Sequence, residues 1–254
     1  MLKLYSMVKS FVLKGDNRSV RAKKNIIGSI TLKIADILID LALVPLALAY
    51  LTKTSYGIWL TIYSFTTWLN LFDIGISHGL RNKLSSAIAD NNKVLIRKYT
   101  STAYAIIGTI SISILLIGVL IVPLVNWNMV LNTQTISNLE FTKIILIVLA
   151  SFSLTLTLKI VTSILLAKQI PFLVSLINTL TKFGIICGIV FIIFMSSESN
   201  LTHFATIYSV TPILILIIFS TIMFRKKIQS FTPSFIYFDK NIIKDIMSLG
   251  LSFF

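Results

Sequence analysis

Acidic residues are scarce in this 254-residue sequence. Nine Asp and Glu stand against 23 Lys and Arg, and all charged residues together make up only 13%. A soluble domain usually carries about a quarter charged residues. A single cysteine, Cys187, excludes a disulfide framework and a cysteine-built metal cluster. The two histidines, His78 and His203, lie in separate apolar segments and form no catalytic or metal-ligating group. The ten glycines build no phosphate-cradling motif behind a strand, and no strand pattern is present. No cleaved signal peptide is expected: residues 1–24 read as a basic amphipathic arm, and the apolar run after them is too long and lacks a small-residue cleavage site.

What remains is apolar. The chain is 56% hydrophobic with mean hydropathy +0.90, the balance of a polytopic membrane protein. A hydrocarbon core of about 30 Å needs roughly 20 apolar helical residues. Six stretches qualify, near 26–50, 57–80, 101–123, 142–166, 172–195 and 204–224, and a seventh begins near Ile246. The expected fold is therefore all-α, a transmembrane bundle of six full spans plus a truncated seventh.

Charge orients it. Seven basic residues lie in the arm 1–24, five in 81–98, Lys168 in the turn 167–171, and five in 225–245. The alternate loops hold Lys53, with Lys143 at an edge. Excess Lys and Arg marks the cytoplasmic side, so the N-terminus is expected inside. A net charge of +14 would suggest nucleic acid in a soluble protein. Clustered between apolar runs it suits anionic lipid headgroups instead, and no nucleic-acid partner and no cofactor are expected.

The last run, IMSLGLSFF, is too short to cross the core, which reads as a truncated span. Lys24-Asn25-Ile26-Ile27 before the first span matches Lys240-Asn241-Ile242-Ile243 before the seventh, as expected if six helices form one repeat of a pair. The expected organisation is an arm (1–24), a six-helix lobe (25–224), a cytoplasmic linker (225–245) and the start of a seventh span (246–254).

Ionisable residues inside spans are costly in lipid and mark a watery cavity or an ion path. They are Lys33, Asp36 and Asp40 in the first span, Asp73 in the second, Lys159 in the fourth and Lys182 in the fifth. Lys33, Lys159 and Lys182 are candidates for a cationic, substrate-binding cavity. Asp36 and Asp40 are candidates for ion coupling. Plainer readings stand beside these. Lys33, Asp36 and Asp40 share a helix face and can neutralise one another, and Lys159 can snorkel to the cytoplasmic surface. Lys182 lies near mid-membrane, where snorkelling is hard. Asp73 reads as a structural joint at a cytoplasmic corner, paired with Arg81 or Arg97, with Gly75 and Gly79 permitting close helix approach.

The stretch 56–104, with Tyr-Gly-Ile-Trp at 56–59, Leu-Phe-Asp-Ile-Gly at 71–75 and Gly-Leu-Arg-Asn-Lys at 79–83, resembles polysaccharide exporters of the O-antigen flippase (Wzx) type. LLAKQIPFLVSLIN (165–178) and TPSFIYFDKNIIKDIMSLGLSFF (232–254) are similar to that family's turn between helices four and five and to its lead into helix seven. The family is twelve-helix and belongs with the multidrug/oligosaccharidyl-lipid/polysaccharide exporters, so the resemblance implies an N-terminal lobe. It implies flipping of a polyprenyl-diphosphate-linked oligosaccharide across the bacterial inner membrane, for O-antigen and lipopolysaccharide biosynthesis. The implied partners are the lipid-linked oligosaccharide, membrane lipids and other polysaccharide-assembly proteins such as a polymerase and a chain-length regulator. Trp59, Tyr63 and Trp68 would stack on sugar rings, or else form an interfacial aromatic belt. The alternatives are an ion-coupled multidrug exporter of the same superfamily and a membrane-embedded polymerase or glycosyltransferase. The second needs a long external loop rich in acid or arginine, and the outer loop 124–141 offers only Glu140.

Overall fold

Asp16, in an extended conformation, opens the first helix, α1 (Asn17–Tyr50), which then runs 34 residues without a glycine or proline in its first eleven. The end of the basic arm is thus helical and continuous with the first apolar run. The computed structural model describes residues 16–69, 71–195 and 199–251. The fold is all-α. After α1 come α2 (Lys53–Leu69) and α3 (Leu71–Ala89), with residue 70 outside the described residues. Asp73 falls on α3, but its side chain, and with it the expected joint, also lies outside the described residues.

The helix α4 (Lys93–Ile121) starts eight residues before the expected span at 101. Asn91 takes the left-handed conformation (φ 51°), which asparagine tolerates, and the Asn92 side chain caps the new helix by accepting from the Leu95 N–H at 3.0 Å. The basic residues Arg97 and Lys98 are therefore in the second turn of the span helix. A one-turn helix, α5 (Trp127–Val130), sits in the loop after α4, followed by α6 (Asn138–Leu158) and α7 (Ile160–Ala167). Gln169 (φ 58°) turns the chain into α8 (Pro171–Met195), with proline at the first helical position where no N–H is needed. Then follow α9 (Leu201–Lys226) and α10 (Lys240–Leu251).

Among the described residues, four helical stretches are long and apolar enough to cross a membrane: 93–124, 138–167, 171–195 and 201–226. The α1 helix carries Lys33, Asp36 and Asp40, and α2 has 17 residues, so neither reaches that standard by length and apolarity alone.

The helices pack as a bundle in which α1 lies along α8, α9 against α6 and α8, α4 against α6, and α3 against α4, α7 and α10. Between helices in a membrane, close backbone approach takes over the work of the hydrophobic effect. On α8, a Cβ on Gly184 would come 2.8 Å from Thr211 Cγ2, and one on Gly188 2.7 Å from Ile207 Cγ2, so α9 nestles against bare backbone.

The segments grouped by positive charge meet at one end. Asn25 Nδ2 donates to Gln169 O (3.4 Å), Ser85 Oγ to Ala167 O (3.4 Å) and Lys168 Nζ to Lys227 O (3.1 Å). At the other end, the Thr202 hydroxyl donates to Glu140 Oε1 (3.0 Å) and joins α9 to α6. Two apolar cores follow the same division. One, around Leu80, Ile164, Leu165 and Ile246, lies at the basic end. The second, around Ala47, Trp59, Phe141 and Phe204, lies at the opposite end.

Candidate functional site: a polar cavity between two cores

The two cores leave a gap of about 520 Å³ at mid-length of the bundle. Its apolar walls come from both: Val148, Ile185 and Trp59 from one core, Phe152, Ile177 and Leu216 from the other. The rest of the lining is polar, an arrangement that hydrocarbon surroundings make expensive unless the space is used.

All three lysines singled out from sequence line this one cavity: Lys33 from α1, Lys159 from the α6–α7 junction and Lys182 from α8. They lie 126 and 23 residues apart in sequence and are brought together by the α1–α8, α8–α9 and α9–α6 packing. Their situations differ. Lys33 is exposed and forms no ion pair among the described residues. Lys182 Nζ is bound to Asp40 Oδ2 at 2.5 Å. Asp36, only 3% exposed, accepts a 2.6 Å hydrogen bond from the Thr179 hydroxyl.

This corrects one expectation. Lys33, Asp36 and Asp40 share a helix face but do not neutralise one another. Each carboxylate is instead engaged from α8, because α1 lies along that helix and Thr179 and Lys182 are one turn apart, like Asp36 and Asp40. Arg97 is one of the two arginines expected to pair with Asp73, whose side chain lies outside the described residues. The Arg97 Nη1 donates to the Tyr237 hydroxyl at 3.2 Å, and its guanidinium lies 5.2 Å from that ring's centre. Arg81 is exposed at the basic end, forms no ion pair among the described residues and does not line the cavity.

Lys159 marks a break that composition did not announce. The helix pauses there, and the Lys159 carbonyl receives the Thr162 N–H (2.8 Å) and the Thr162 hydroxyl (2.6 Å). Such a tight turn inside a span is a common mark of a functional hinge. One turn earlier, the Thr155 hydroxyl is buried at the cavity wall with no hydrogen-bond partner among the described residues, the kind of group that a bound water or polar ligand satisfies. Across the cavity, Pro212 interrupts the hydrogen bonding of α9, and the nearby Ser209 carbonyl receives Ser151 Oγ at 2.6 Å.

The outer wall is aromatic. Trp59 and Tyr63 stack with centroids 5.7 Å apart, and Tyr208 lies 5.1 Å from Trp59 and 5.9 Å from Tyr63. Phe204, fully buried, backs Tyr208 at 5.0 Å. Of the three aromatic residues weighed from sequence, Trp59 and Tyr63 reach the cavity. Trp68, 73% exposed, does not line it. Sequence reasoning missed Tyr208, Thr179 and Asn178. The one local signal was Pro212, a proline inside an apolar run one helical turn from Tyr208 and Ser209.

No protein-family model and no curated protein matches the sequence. Two solved structures share its fold. One is a crystallised mutant MATE protein, with a TM-score of 0.62 and 15% identity over 94% of this chain and 53% of the other. The second is an MOP superfamily transporter from Pyrococcus furiosus, described by a binding pocket of reverse polarity. It has a TM-score of 0.59 and 14% identity over 94% of this chain and 52% of the other. The chain spans about half the length of either protein. At this identity the likeness establishes the fold.

Proposed function

We propose that the chain is the N-terminal lobe of an exporter that carries a polyprenyl-diphosphate-linked oligosaccharide across a bacterial inner membrane, as O-antigen flippases do. The observation that carries this reading is the convergence of three lysines from separate helices on one mid-bundle cavity with an aromatic wall. A diphosphate cannot enter hydrocarbon unescorted, and lysine holds it as a point charge without needing fixed geometry. The rings of Tyr63 and Tyr208 offer flat faces for sugars in the same space, while the polyprenyl tail stays in lipid. One structural neighbour is described as an MOP superfamily transporter and the other as a MATE protein, which supports a transport role. Their greater length makes a second lobe, rocking against this one, part of the proposal.

A second reading, an ion-coupled multidrug exporter, draws on Asp36. It is a nearly fully buried acid at the cavity edge, suited to a proton, a sodium ion or a cationic drug.

Ligand binding to the purified chain in nanodiscs separates the two readings. A polyprenyl diphosphate should bind more tightly than the uncharged polyprenol, and Lys33→Ala or Lys159→Ala should each weaken it about tenfold or more, the loss of one charge-assisted contact. Diphosphate and polyprenol binding alike would overturn the flippase reading. Ethidium binding abolished by Asp36→Asn would favour the drug exporter.

A further inference from the structure

The segment after α9 contains a contradiction. Residues 228–239 form a strap that is firmly attached. Ile228 (1% exposed) and Phe231 (3%) are buried in the basic-end core, with Lys168 Nζ 5.2 Å from the Phe231 ring centre. The Ser234 N–H donates to Ser101 Oγ (3.0 Å), the Asp239 N–H donates to Thr102 Oγ1 (3.1 Å), and Lys98 Nζ pairs with Asp239 Oδ2 (2.8 Å). Arg97 holds Tyr237. Yet the turn between these ties leaves Phe235 97% and Ile236 89% exposed, among the most exposed large apolar side chains described.

Depth resolves it. All the strap's polar partners on α4 lie within residues 97–102. There the helix changes from Lys93-Val94-Leu95-Ile96-Arg97-Lys98 to an uncharged run reaching Ile121. That boundary is where a span leaves hydrocarbon for headgroups. The ties therefore hold Phe235 and Ile236 at interfacial depth. Charge agrees with this placement. Arg225, Lys226, Lys227, Lys240 and Lys244 flank the turn, while the two acids of the segment are each paired away, Asp239 with Lys98 and Asp245 with Lys83 at 3.7 Å. A rigid apolar tip in a basic setting matches an anionic lipid surface.

We propose that the Phe235–Tyr237 turn is an interfacial anchor whose apolar tip inserts between the headgroups of an anionic leaflet. It fixes the strap, and through it the start of α4, to the membrane surface. The test uses the full chain with Cys187→Ser and an environment-sensitive fluorophore on Ile236→Cys, in vesicles of phosphatidylcholine with or without phosphatidylglycerol. Asp90→Cys, in the exposed turn before α4, serves as the aqueous control. The anchor predicts blue-shifted emission at 236, quenched more by nitroxides on lipid headgroups than by nitroxides deep in the acyl chains. Quenching should rise with phosphatidylglycerol, and position 90 should stay unquenched. Emission at 236 matching position 90 in both vesicles overturns the proposal. A blue shift that lipid nitroxides do not quench overturns it as well, because a protein surface would then be the cover. Quenching indifferent to phosphatidylglycerol overturns its anionic part.

Discussion

Replacing Asp40 with asparagine should weaken the fold and strengthen ligand binding at the same time. The carboxylate pairs with Lys182 at 2.5 Å, joining α1 to α8, with side chains 55% and 28% exposed. Fully exposed pairs contribute about 0–1 kcal/mol, whereas breaking a fully buried pair costs about 3–5 kcal/mol. At these exposures a coupling on the order of 1–2 kcal/mol is expected between the two limits. In a chain of this size that is a shift of roughly 2–8 °C in Tm. The assay is a double-mutant cycle of Asp40→Asn, Lys182→Met and the double variant, unfolded thermally in one detergent. The double variant should lose less than the sum of the single variants. Asp40→Asn also leaves Lys182 without its carboxylate at the cavity, so polyprenyl diphosphate should bind more tightly, by up to about tenfold for about 1.4 kcal/mol. A gain in affinity with a loss of stability cannot come from general damage. Additivity within about 0.5 kcal/mol, or weaker diphosphate binding by Asp40→Asn, would refute the reasoning.

Asp239 gives a pH dependence. The hydrogen bond from Lys98, then that from the Asn241 N–H, hold its carboxyl below the ordinary 3.8. Its contribution is therefore present above 3.8 and lost as pH falls through the lower folded value; thermal unfolding should show this step in the unsubstituted chain and not in Asp239→Asn. Gly188→Ala places a methyl 2.7 Å from Ile207 Cγ2 and should destabilise the α8–α9 contact by about 1–3 kcal/mol, with Gly57→Ala, which meets nothing within 4 Å, as the mild control. For topology, in a Cys187→Ser background, cysteines at Ser55, Ser137 and Ser199 should react with an impermeant reagent from outside, and those at Ser86 and Ser230 only from inside. Reversed labelling would invert the orientation.

Sequence and structure divide the explanation of this protein along a clear line. Hydropathy and charge are properties of consecutive residues, so apolar runs and the grouping of basic segments were legible before any helix was placed. The tight turn at 167–171 was legible too, because turn chemistry is local. Hydropathy places the start of the α4 span at 101, eight residues late, because the Asn92 cap lets α4 begin among basic residues that hydropathy leaves outside the span. Partners were not legible at all. Lys33, Asp36 and Asp40 look like a self-contained group on one helix face, but Thr179 and Lys182 lie 143 and 142 residues from the carboxylates they engage. Which side chains meet depends on how far each helix is rotated and how closely Gly184 and Gly188 let α9 approach α8. The sequence by itself determined a basic-ended apolar bundle with cations inside its apolar runs. Tertiary packing decided that those cations share one cavity, that Lys182 is held by Asp40 while Lys33 is not, and that a strap closes over α4, because rotation and crossing are set between helices rather than along them.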